Sequence, residues 1–225
     1  MAEFRGIKTG VEDLPANFHL PRHRHFHAYA TLVLAGSFEE AGYAGRIKAS
    51  AGHLLVHPVL DCHMDRMISP GVRLLRLPWP DSDVVGGLHV LDAMDTVVRV
   101  AEKDVIEAQE LVQELIRDKE TRIAPLDDWP DLFAQDVARS PRLRIGDWAE
   151  EKGLARETVC RKFSMVYGIS AATFRSEWRA RMAWIEVAQR QDRLSTIAAQ
   201  KGFSDQAHMT RWISRITGSP PTSWR

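Results

Sequence analysis

Ala149-Glu-Glu-Lys-Gly-Leu154 and Ala198-Ala-Gln-Lys-Gly-Phe203 repeat one pattern within the last third of a 225-residue chain. An apolar-periodic lead-in precedes each copy: Leu143, Ile145, Trp148 and Ala149, then Leu194, Ile197 and Ala198. A second short helical pattern follows each glycine. Apolar residues at 3.6-residue spacing on both sides of a turn-forming Gly read as helix, turn, helix, written twice. The copies are offset by 49 positions through the turn and by 50 after it, because Ser204 is an extra residue in the second turn.

Working outward, Val159 and Phe163 lie four apart and turn one face of the Arg156–Phe163 helix to a core. Arg156, Glu157, Cys160 and Arg161 are left on the other face. In the second copy Met209 and Ile213 take the core role, which leaves Gln206, Ala207, Thr210 and Arg211 outward. Between the copies, residues 172–190 read as one long helix with Phe174, Trp178, Met182, Ile185 and Ala188 on its apolar side. Two protruding helices bearing Arg, Gln and Thr match the donor and acceptor pattern of base edges. On a rigid connector they suit successive major grooves, about 34 Å apart.

The charge distribution agrees. Residues 141–225 hold 15 Lys and Arg against 8 Asp and Glu, while residues 1–140 hold 15 against 22. The formal net charge of zero therefore hides a basic third behind an acidic remainder, the footprint of a double-stranded DNA-binding module joined to something else. Two cysteines, Cys62 and Cys160, give no disulfide framework and fit a reducing compartment. With no apolar leader at the N-terminus and no run long enough to span a bilayer, the expectation is a cytoplasmic protein without membrane partners.

Gly168-Ile-Ser-Ala-Ala-Thr-Phe-Arg175, Arg179-x-Arg181, Ile197-Ala-Ala-x-x-Gly-Phe-Ser-Asp205 and Gly218-Ser-Pro-Pro-Thr-Ser-Trp-Arg225 closely resemble the C-terminal domain of AraC/XylS-type transcription regulators. The resemblance implies a seven-helix domain in which residues 156–163 and 205–213 are the recognition helices. The chain departs from it in two respects. Ala155 stands where the family commonly has a capping Ser, a loss of about 1 kcal/mol, whereas Asp205 can cap the second helix. Glu157 and Cys160 on the first face bar any transfer of sequence preference from relatives.

The N-terminal part has another period. Residues 30–35, 45–49, 53–57 and 72–77 are short alternating or apolar runs separated by Gly and Pro, a small antiparallel sandwich or barrel. Seven of nine histidines fall between positions 19 and 63, and His23, His25 and His27 alternate, which on a strand puts them on one face. His57, Cys62 and His63 follow. Converging imidazoles can take zinc or another transition metal, and polar strand surface is the plainer reading. His23-x-His25 with Gly36, then Gly52, Pro58 and His63, resembles the two motifs of a small cupin barrel, the usual sensor domain of AraC-type regulators. The resemblance implies His23, His25 and His63 as metal ligands, but the Glu that metal-binding cupins add is Tyr29 here. From Val97 to Ile116 the apolar spacing becomes helical, a stripe that packs on its own domain or against a second chain in a homodimer.

The expected architecture is α+β and multidomain: a cupin-like β-barrel (1–83), helical linker or dimerisation segments (84–140) and an all-α tandem helix-turn-helix domain (141–225). The leading functional reading is a one-component, non-enzymatic regulator whose cupin-like domain takes a small-molecule or metal effector. A metal-dependent cupin enzyme with an appended helical domain, and a ligand-free nucleoid-associated protein, stay open as alternatives.

Overall fold

Short runs rich in Val, Leu and Ile, bounded mostly by Gly and Pro that favour turns, fold as strands. The computed structural model describes residues 8–43, 45–82, 86–117, 128–140 and 143–225, and the backbone of 2–4. It divides the chain into two units, Met1–Leu126 and Asp127–Arg225. The first unit holds two five-stranded sheets. One runs β1 (Ala2–Phe4), β3 (His19–His25), β8 (Cys62–Met67), β5 (Ser37–Gly42), β6 (Gly45–Ser50). The other runs β10 (Gly87–Val90), β7 (His53–His57), β4 (Tyr29–Ala35), β9 (Gly71–Pro78), β2 (Gly10–Pro15). Among the described residues β1 and β3 are parallel and the other pairs antiparallel.

The two inner faces meet in a core of Val33, Phe38, Ile47, Leu55, Met67, Leu74 and Leu88, drawn from both sheets. Fully burying such a side chain contributes about 1.5–3 kcal/mol. Between β4 and β5, Gly36 has φ +78°, and a Cβ there would lie 2.1 Å from the Gly71 carbonyl oxygen. No other residue fits that turn.

Several sequence expectations shift. β3 ends at His25, so His27 does not share its face; it is exposed and pairs with Asp81 at 3.0 Å. β10 lies beyond the boundary drawn after residue 83, and residues 83–85 are outside the described set. The single amphipathic helix from Val97 is two, α1 (Met94–Ala101) and α2 (Val105–Ile116). Asp104 breaks it: its backbone is extended, and its carboxylate accepts from the Ile106 and Glu107 amides at 2.7 and 3.3 Å. α2 packs on β9 and buries Ala108 and Val112 within its own unit.

The second unit begins earlier than the Ser140-Pro141 break suggests; Pro141 and residues 118–127 are themselves outside the described set. The reason is α3 (Trp129–Arg139). Its Phe133 lies 4.6 Å from the Trp148 ring and 5.3 Å from Phe163. Its buried Asp131 accepts from the Tyr167 hydroxyl at 2.6 Å, and Asp136 accepts from Trp148 Nε1 at 2.9 Å. Then come α4 (Ile145–Glu151), α5 (Arg156–Tyr167), α6 (Ala171–Gln189), α7 (Leu194–Gln200), α8 (Gln206–Thr217) and a closing 3-10 turn, Pro221–Trp224. α6 packs on α3, α5, α7 and α8, so it is buried on several sides. Phe174 is buried as expected, together with Glu177, Arg181, Trp184 and Val187; Trp178, Met182 and Ile185 are only half-buried and Ala188 is exposed.

Phe163, fully buried among Phe133, Tyr167 and Phe174, centres this core. Phe163→Ala is expected to destabilise the C-terminal unit by about 3–5 kcal/mol in chemical denaturation. An unshifted midpoint for that unit contradicts the packing described.

Candidate functional site

In both copies the turn is built alike. The Leu154 amide donates to Ala149 O at 2.8 Å and the Phe203 amide to Ala198 O at 2.9 Å, while Gly153 and Gly202 hold φ of +64° and +74°. These left-handed positions favour glycine and stop the first helix so that the second departs at once. α5 and α8 are 12 residues each and start 50 positions apart.

Val159, Phe163, Met209 and Ile213 are wholly buried, which fixes what the helices present outward. On α5, Arg156, Glu157 and Arg161 are exposed and Cys160 is half-buried. On α8, Gln206, Ala207 and Arg211 are exposed and Thr210 is half-buried. The starts of the two helices differ as the sequence indicates: Ala155 makes no capping bond, whereas Asp205 accepts from the His208 amide at 2.6 Å. That bond, with another from Ser204, holds the Asp205 carboxyl below its usual range.

One feature of α8 escaped the sequence. His208 Nε2 accepts from Trp212 Nε1 at 3.1 Å, and its Nδ1 lies 3.0 Å from Ser204 Oγ, which donates to Asp205. Trp has only a donor, so His208 is the Nδ1-protonated tautomer, donating to Ser204. Arg215 covers the Trp212 ring at 4.9 Å. The extra Ser204 of the second turn thus orders the first turn of its helix. The i, i+4 spacing of His208 and Trp212 is the signal that could have revealed it.

The first unit contains a second site, a cavity of about 240 Å³ between its sheets. Leu14, Phe18, Phe38, Met67 and Leu74 line one part; His23, His25, Tyr29, Glu40, His57, Asp65 and Arg76 line another. Register brings the polar groups together. His23 stands opposite His63, Tyr29 opposite His57, and Glu40 opposite Asp65. The second half of β3, Arg22–His25, is buried on both faces, and Arg24 on the other side donates to Leu60 O at 2.9 Å. His23 and His25 are therefore interior groups, whereas His19 at the start of the strand is exposed.

The rings of His23, His25 and His63 converge, with centroids 4.6 to 5.1 Å apart. The Tyr29 hydroxyl lies between two of them, 3.1 Å from His25 Nε2 and 3.2 Å from His63 Nε2. One hydroxyl proton can serve only one nitrogen. Asp61 resolves the choice: Oδ2 lies 3.2 Å from His63 Nδ1 and 3.4 Å from His57 Nδ1. With His63 Nδ1 donating to Asp61, His63 Nε2 accepts from Tyr29, and Tyr29 in turn accepts from His25 Nε2. His25 Nδ1 is left buried without a hydrogen-bond partner. Burial pushes His63 down to about 3 and also lowers His23 and His25. Asp61 is held well below the carboxylate range by the His57 and His63 bonds, although burial opposes it. Burial, with Asp65 and Asp61 nearby, raises Glu40 well above that range. Asp65 is pushed up to about 7, chiefly by burial.

Residues 148–225 match the family model described as a helix-turn-helix domain. No curated protein matches. Among solved structures, unsaturated-fatty-acid-bound ToxT from Vibrio cholerae strain SCE256 is similar at 13% identity and TM-score 0.39, over 98% of this chain and 96% of its own. A regulator with an AraC-type DNA-binding domain from Chromobacterium violaceum is 23% identical with TM-score 0.35, over 37% of this chain and 74% of its own. The C-terminal domain of the response regulator AraT from Geobacillus stearothermophilus is 17% identical with TM-score 0.40, over 43% and 82%. Residues 148–225 form an AraC-type, DNA-binding helix-turn-helix domain. Among the described residues no helix is long and apolar enough to cross a membrane.

The unequal caps give a measurable difference. Amide exchange at the start of α5 is expected to be faster than at the start of α8. Ala155→Ser slows it and adds about 1 kcal/mol, and Asp205→Ala removes a similar amount. Equal exchange at the two helix starts contradicts this.

Proposed function

We propose that this chain, with its AraC-type helix-turn-helix domain, is a one-component, sequence-specific transcription regulator that reads a promoter through α5 and α8. It acts as a non-enzymatic cytoplasmic protein, and the cavity of its N-terminal unit receives the effector. The observation that carries this reading is a pair of exposed, chemically different faces in one basic unit. Arg161 and Arg211 suit bidentate contact to guanine, Gln206 suits adenine, and Glu157 accepts from a cytosine amino group. Arg156 supplies phosphate attraction, while Cys160, Ala207 and Thr210 shape the close contact.

The cavity favours a sensor over a ligand-free nucleoid protein, since a domain serving only as structure has no need to enclose about 240 Å³ lined by polar groups. An effector acts by binding two arrangements of the protein unequally. The cupin-enzyme reading is weakened by Tyr29, whose hydroxyl is occupied with His25 and His63. Self-association through α2 would use exposed Ile106 and half-buried Leu111 and Leu115, because Ala108 and Val112 are already packed inside the unit.

After selection of an operator from random DNA, Arg161→Ala and Arg211→Ala are each expected to weaken operator binding by about 1–3 kcal/mol in fluorescence anisotropy at fixed salt. Glu157→Ala is expected to relax the preference at one base pair while leaving non-specific affinity no weaker, since Glu repels phosphate. Operator binding that neither arginine substitution weakens refutes the assignment.

A further inference from the structure

Tyr29 changes where a cation fits in the first unit. The His23, His25 and His63 set offers three neutral imidazoles, and two of their Nε2 atoms are engaged by the Tyr29 hydroxyl. A divalent ion there would have to displace the Tyr29 hydroxyl from both nitrogens, and none of its three ligands would be a carboxylate. Beside it lies a second set. Glu40, His57, Asp61 and His63 each offer a ligand atom, and the four atoms fall within 4.8 Å of one another. Glu40, His57 and His63 are buried and Asp61 is half-buried.

Three features set this second cluster apart from an ordinary polar network. Its contacts are long for charge-assisted hydrogen bonds: Asp61 Oδ2 is 3.2 Å from His63 Nδ1 and 3.4 Å from His57 Nδ1, and Glu40 Oε2 is 3.6 Å from His57 Nε2. Two ligand atoms on one ion with bonds of ~2.1 Å sit about 3.0–3.4 Å apart, which the Asp61 contacts match. Acceptors crowd together, because Glu40 lies opposite Asp65, whose Oδ1 is buried and has no hydrogen-bond partner. Asp65 is 8% exposed, lines the cavity, and reaches to 3.9 Å from His63 Nε2. Two carboxylates among the ligands also cancel the charge of a divalent ion.

We propose that Glu40, His57, Asp61 and His63 form a binding site for a divalent first-row transition-metal ion, with Asp65 as the neighbouring anion. Two imidazoles with two carboxylates suit zinc or a similar ion of intermediate softness. The inference deepens the sensor reading by naming the class of effector. Because the ion would sit at the polar part of the wall, the apolar part of the cavity stays open.

The test is Zn²⁺ titration of the full chain, freed of metal with a chelator, by calorimetry and by metal content after dialysis. Wild type is expected to bind one Zn²⁺ per chain and to melt at a higher temperature with it. The near-isosteric Glu40→Gln and Asp61→Asn variants, checked for wild-type melting without metal, are expected to bind at least about tenfold more weakly. His23→Ala is expected to bind as wild type does. Absence of Zn²⁺ binding by wild type overturns the site. So does loss of binding in His23→Ala with Glu40→Gln unaffected, which assigns the ion to the three histidines. Metal content is read without DNA. A chain that binds Zn²⁺ here yet shows unchanged operator affinity keeps the site and loses the sensor reading.

Discussion

Strand register is the constraint on which the N-terminal unit depends. His23 against His63, Tyr29 against His57 and Glu40 against Asp65 are cross-strand pairs on three different ladders, and His23, Tyr29, His57, Glu40 and Asp65 line one cavity. Side chains alternate with period two, so slipping β3 by one residue would exchange His23 and His25 for Arg22 and Arg24. It would also remove Arg24 from the Leu60 carbonyl that accepts from it. Because buried polar groups are expensive without partners, this polar interior selects its register more sharply than an oily one would.

Asp61 extends that constraint. It takes bonds from His57 and His63 at once, fixes the tautomer of His63, and through Tyr29 fixes His25. Five side chains on four strands and a loop are therefore joined in one hydrogen-bonded network. A change in charge at any of them is felt by the others, which is the physical property a sensing cavity requires.

The C-terminal unit obeys different rules, since most of what defines it is local. Part of its positive balance is nevertheless engaged within the unit. Arg175 Nη2 donates to the Leu143 carbonyl at 2.7 Å and Arg179 Nη1 to the Gly202 carbonyl at 3.0 Å, tying α6 to the edges of both helix-turn-helix copies. Lys201 pairs with Glu186 at 2.7 Å. Such cations satisfy carbonyls left open near helix ends and turns. The exposed ones that remain on the outward faces of α5 and α8, Arg156, Arg161 and Arg211, are fewer than the raw charge count suggests.

The sequence by itself determined the tandem helix-turn-helix, its one-residue offset, its glycine turns and its unequal caps. Each is set by residues within a few positions of one another, where helical period and capping chemistry act. It also gave the strands from 30–35 to 72–77 and the histidines that would gather. It did not reveal that Asp104 splits a helix, that α3 packs against Trp148 and Phe163, or that His27 leaves its strand, because distant partners decide these matters. No local pattern in the chain singles out Glu40, Asp61 or Asp65. Only the tertiary structure set them beside His57 and His63, since cross-strand register brings together residues that no local pattern connects.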